Sequence, residues 1–146
     1  MNNTSHTPVE RTFYEIAVGD AASKEHVITE EMVRMFVEIT GDKNPLHVDE
    51  SYAVTTQHKK RVVHGMLTAS LLSELVGMHL PGKYSLILSQ QTQFKKPVFI
   101  GDTIVVSGIV IQKSEATRTI TVSLTMTRDT DVVVQGNVVV LIEDAT

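Results

Sequence analysis

HGMLTASLLSELVGM, residues 64–78, is the stretch whose reading decides the fold of this chain. Within it Met66, Leu67, Leu71, Leu72, Leu75, Val76 and Met78 leave no polar face, and Glu74 is the only acid or base after His64. A helix that is apolar all round is buried on all sides. The stretch is too short to cross a bilayer, which takes ~20 residues, so it reads as a long apolar central helix around which a domain is built. It opens on a His-Gly step. The backbone N–H of Gly65, at the positive end of the helix dipole, is suited to a developing oxyanion.

Downstream, Pro81-Gly82 stops the helix and the remainder reads as four long strands, roughly 85–95, 102–112, 117–128 and 132–142. The third alternates clearly, with Ile120, Val122, Leu124 and Met126 on one face and Thr119, Thr121, Ser123 and Thr125 on the other. One face is therefore buried and one wet. Asp129-Thr130-Asp131 forms a hairpin between the last two strands. An antiparallel sheet accompanied by one apolar helix buries it by curling around it, an α+β arrangement.

Upstream, residues 13–18 and 25–28 read as short extended pieces. Thr29 then caps an amphipathic helix in which Met32, Met35, Phe36 and Ile39 recur at helical spacing, and Thr40-Gly41 ends it. That helix delivers the chain to GDKNPLHVD, residues 41–49. Gly41, Asp42, Asn44 and Pro45 are turn formers, and Pro45 pushes Asn44 toward extended backbone, so the chain bends here. The bend lets Asp42 and His47 point into one space. A carboxylate and an imidazole meeting there can hold a water and move its protons. Two other readings compete. Asp42 can brace the turn and His47 can be an ordinary loop histidine; alternatively His47, Asp49 and His64 can ligate a metal, against which stands the lack of paired zinc-type spacing. Asp49 also looks like the cap of a further short helix.

In this order, GDKNPLHVD followed by VVHGMLTASL (62–71) resembles the MaoC-like (R)-specific enoyl-CoA hydratases, a hot-dog-fold family with a "hydratase 2" motif of the form D-x-N-P-x-H. FYEIAVGD (13–20), QTQFKKPVFIGDTIVV (91–106) and the terminal strands fall where that family would place them, so the resemblance covers nearly the whole chain beyond the first dozen residues. It implies a hot-dog domain in which Asp42 and His47 are the catalytic pair, holding the water that adds across the 2,3 double bond of a trans-enoyl thioester. Asn44 would orient that pair or the substrate, the amide of Gly65 would receive the thioester oxygen, and Ser70 would hydrogen-bond to Asp42. Lys59, Lys60 and Arg61, in a cationic loop beside the site, would meet the phosphates of coenzyme A, although the family usually has proline where Arg61 stands. No metal and no cofactor are expected, coenzyme A entering as part of the substrate. Met66, Leu71, Leu86 and Leu88 are candidates for narrowing the acyl tunnel. Alternatives of the same fold are a dehydratase acting on acyl-carrier-protein thioesters, a thioesterase and a non-catalytic acyl-thioester binding module.

The wider composition agrees with one enzyme-sized unit. A chain of 146 residues suits one domain, here 13–146 behind a frayed N-terminus of residues 1–12. A formal charge of −4 offers no basic stripe for nucleic acid. There is no cysteine, hence no disulfide framework and no thiol nucleophile. No apolar run resembles a signal peptide or a membrane span, which points to a cytoplasmic protein without membrane partners. An uncovered edge on the curled sheet predicts a homodimer or an assembly of dimers.

Overall fold

Alternation of apolar and polar side chains builds most of this molecule. The computed structural model describes residues 7–144, in which β1 (Ala21–Val27), β2 (Ser85–Phe94), β3 (Thr103–Ser114), β4 (Thr119–Arg128) and β5 (Asp131–Ile142) form one sheet. Its order is β1-β3-β4-β5-β2 and every pairing is antiparallel. The four long strands foreseen in the C-terminal half are all present. The register sets Val122 opposite Val110 on one side and Val138 on the other, which puts the apolar members of three strands on one face. The residues of that face, Ile104, Val106, Val110, Ile120, Val122, Leu124, Met126, Val138 and Val140 among them, are withdrawn from water.

That face receives the helical segment. Leu67, Leu71, Leu72, Leu75 and Val76 join the sheet residues in one core cluster. The approach is close at Gly108, where a Cβ would lie 2.9 Å from Val122 and 3.0 Å from Leu75. The segment is not the single rod, buried on all sides, that its composition suggests. It is built from α4 (Gly65–Ser70), α5 (Leu72–Glu74) and a π-helical turn over Leu75–His79. Leu71 N–H bonds back only three residues, to Thr68, while Leu80 N–H reaches five back to Leu75, so the winding tightens and then loosens along its length. Met66 is 62% exposed, and Ser70 and Ser73 on the same stripe are exposed as well.

The N-terminal half supplies α1 (Glu30–Thr40), α2 (Pro45–Val48) and α3 (Glu50–Ala53). Phe13–Glu15, expected as strand, is a 3₁₀ turn, because the Glu15 carboxylate accepts the Thr12 N–H at 2.7 Å and closes the chain locally. Of the stretch expected to fray, residues 1–6 lie outside those described. Val9 is tied down: its N–H donates to Met78 O and its carbonyl accepts from Lys83, both at 2.9 Å. Among the described residues no helix is long and apolar enough to cross a membrane. The sheet has two outer strands, β1 and β2, rather than one free edge.

Candidate active site

The bend at Asp42 is written in side-chain to backbone hydrogen bonds. Thr29 caps α1 by accepting the Met32 N–H at 3.2 Å, and the helix ends at Gly41. Asp42 Oδ1 then accepts the Asn44 N–H at 3.1 Å, and Asn44 Oδ1 accepts the Leu46 N–H at 3.0 Å. Two successive turns of this type, with Pro45 at the first helical position, start α2. The short helix carries His47 in its last turn. His47 Nδ1 lies 2.6 Å from the Val62 carbonyl, which can only accept, so Nδ1 bears the proton and Nε2 keeps a free lone pair.

His64 completes the cluster from the other side. It sits at the N-cap of α4 and is 2% exposed. Its Nε2 donates to the backbone carbonyl of Asp42 at 3.1 Å and lies 3.9 Å from Asp42 Oδ2. The ring is held between Phe36, with centroids 4.9 Å apart, and His47, at 4.0 Å and an interplanar angle of 32°. One polar atom from each of Asp42, His47 and His64 lies within 4.8 Å of the others. Such a trio has the residue types of a metal centre, and its spacing suits a bridging water equally well. Asp49, considered as a ligand from sequence, instead caps α3 through the Tyr52 N–H and accepts the Ser51 hydroxyl.

Two concavities meet at His47 and Gly65. The first, about 400 Å³, is lined by Phe36, Thr40, Asp42, His47, His64, Gly65, Met66 and Ser70. The second, about 290 Å³, is lined by His47 and Gly65 together with Val62, Val63, Phe94 and Val98 and the basic residues His58, Lys95 and Lys96. Among the described residues the N–H of Gly65 has no hydrogen-bond partner.

Several expectations need correction. The Ser70 hydroxyl donates to Leu67 O at 2.7 Å and does not reach Asp42, because a serine inside a helix satisfies itself on the preceding turn; it does line the cavity that Asp42 lines. Asn44 lines neither concavity and acts on His47 through the start of α2. Arg61 is drawn to Glu30 and Glu50, which leaves its guanidinium committed. Lys60 lies over the Phe99 ring at 4.1 Å, and Lys59 occupies a left-handed turn position. None of these three lines either concavity. The sequence offers His64 as a metal ligand, and its bracing of the Asp42 carbonyl goes beyond that role. Its signal was there, since a histidine inside the apolar run VVHGM is placed where burial is unavoidable.

An open antiparallel sheet packed on a helical segment is a hot-dog architecture, and the proteins this chain resembles are hydro-lyases. The chain belongs to the MaoC-like domain family, which matches residues 17–132. It is 37% identical over 134 residues to the (R)-specific enoyl-CoA hydratase of Rhodospirillum rubrum, covering 89% of this chain and 90% of that one. A mitochondrial 3-hydroxyacyl-[acyl-carrier-protein] dehydratase of Arabidopsis thaliana is 33% identical over 115 residues, covering 73% of this chain and 68% of that protein. Among solved structures, an (R)-hydratase from Aeromonas caviae involved in PHA biosynthesis superimposes with a TM-score of 0.84 at 36% identity, over 87% of this chain and 97% of its own.

Proposed function

We propose that this protein is an (R)-specific enoyl-CoA hydratase, adding water to trans-2-enoyl-CoA to give (R)-3-hydroxyacyl-CoA. The observation that carries the reading is the convergence of Asp42 and His47 on one cavity beside the unpartnered N–H of Gly65. A separation within 4.8 Å suits a water bridging both groups, since two hydrogen bonds of ~2.8 Å span it at an obtuse angle. With Nδ1 engaged by Val62 O, His47 Nε2 is the ring atom left to serve that water as acceptor. Asp42 and His47 serve as one proton-handling unit. The unit delivers hydroxyl to C3 and returns a proton to C2 on the same face of the alkene. Meanwhile the carbonyl oxygen of the thioester gains enolate charge against the Gly65 N–H, a contact stronger in the transition state than before it. No oxidation occurs, so the side chains can run the reaction without a cofactor.

Carrier-protein thioesters remain the second reading, favoured by the Arabidopsis relative. The same residues then run dehydration, which is the microscopic reverse. Residues 13–146 would act as one domain, and the cysteine-free composition suits a reducing compartment such as the cytoplasm. We place a homodimer contact on the outer strand β2, whose Leu86 and Leu88 are exposed and whose open edge invites a second strand. Sedimentation should show two chains or a multiple of two. The functional test is incubation with crotonyl-CoA, following loss of the conjugated enoyl absorbance and the handedness of the 3-hydroxybutyryl product. No loss of absorbance, or the (S) product, would refute the proposal.

A further inference from the structure

We infer that Lys95 and Lys96, with His58, form the site that receives the phosphates of coenzyme A, in place of the loop cations that the sequence singled out. The inference rests on the proposed function, since it assigns a role to the second of the two concavities that meet at the reaction centre. That groove is lined by His47 and Gly65, by apolar side chains, Val62, Val63 and Val98 among them, and by these three basic side chains. No aspartate or glutamate lines it. In a chain with a formal charge of −4, a groove whose only ionisable side chains are basic is a local reversal of the surface field.

The competing cations are already committed: Arg61 to two carboxylates and Lys60 to an aromatic face. The side chains of Lys95 and His58 form no hydrogen bond or ion pair among the described residues, and Lys96 is paired with Asp131. Lys95 is thus the primary anchor, and Lys96 would share its charge between Asp131 and the ligand. The arrangement suits a thioester whose reacting end lies at Gly65. Its slender, largely uncharged arm would fill the walled groove, and its anionic end would stay at the exposed rim, where charge costs little desolvation.

The test compares crotonyl-CoA with crotonyl-pantetheine, which keeps the thioester and arm but lacks the phosphates. In a variant combining Lys95→Ala and Lys96→Ala, the preference in kcat/KM for the CoA ester should fall about tenfold, the size expected for charge-assisted contacts at a half-exposed rim. The loss should lie in KM, and in the parent protein the preference should shrink with added salt. Lys83→Ala, which removes the same charge beside Glu10, should leave the preference at its original value. A preference unchanged within twofold in the double variant would overturn the assignment. So would a loss confined to a carrier-protein thioester, which would give the lysines to the acidic surface of a protein. Should the parent consume neither small thioester, the proposed function fails. Equilibrium binding then decides the inference separately: the parent must bind coenzyme A more tightly than pantetheine, and the double variant must lose that difference.

Discussion

The imidazole rings of His47 and His64 lie against each other, tilted by 32° with centroids 4.0 Å apart, and each is fixed by a different backbone carbonyl: Val62 for His47 and Asp42 for His64. His64 therefore touches both halves of the proposed catalytic pair, with Nε2 on the Asp42 carbonyl and Nδ1 buried without a hydrogen-bond partner among the described residues. It braces the Asp42 bend through the main chain and sets the plane of the His47 ring.

Removing the N–H of that brace should cost turnover. His64→Phe keeps an aromatic ring against His47 and Phe36 but loses the bond to Asp42, and kcat should fall up to ~10²-fold with KM nearly unchanged, the penalty of a misplaced catalytic group. His64→Gln retains a donor of similar reach and should recover most of the loss. Steady-state kinetics on both variants, with melting temperatures to show an intact fold, checks this; equal activity of the two would contradict it.

Strand β5 leaves no room for a side chain against β2 at Gly136, where a Cβ would sit 1.9 Å from the Gln91 carbonyl oxygen. Backbone cannot yield as a side chain can. Gly136→Ala should destabilise by ~2–3 kcal/mol, at the upper end of overpacking effects. Gly108→Ala, whose new methyl meets the movable ends of Val122 and Leu75, should cost less. Chemical denaturation of the two variants measures the order.

Much of this architecture was legible from local pattern. The period-two run of β4, the Thr29 cap and the Asp42-Asn44-Pro45 bend each encode their structure within a few residues, and each lies where it was expected. What the sequence hid was long-range or subtly local. Arg61 is taken by Glu30, 31 positions away, and no spacing rule announces that pairing. The π turn at Leu75–His79 is closed by the Leu80 N–H reaching five residues back to Leu75, a departure from α-helical bonding that no periodicity announces. Ser70 finds an acceptor within its own helix, at Leu67 O, before it can reach Asp42.

Stability should fall on acidification through His26. Burial holds its pKa below the usual 6.5, Glu74 opposes that shift and Lys24 adds to it. A depressed histidine binds protons more readily unfolded than folded, so its contribution is fully present above 6.5 and is lost as pH drops through the lower, folded value. The melting temperature should therefore decline below about pH 6.5, and His26→Gln should flatten that part of the profile. An unchanged slope in the variant would remove His26 as the cause.

The central claim is that Asp42 and His47 together handle the protons of a single water. Its most direct test is the crotonyl-CoA hydration rate of Asp42→Asn and His47→Gln, each shown by circular dichroism and sedimentation to keep the fold and assembly of the parent. Each substitution preserves size while removing the ability to exchange a proton, so kcat should fall at least ~10²-fold in both. Turnover near that of the parent in either variant would contradict the account.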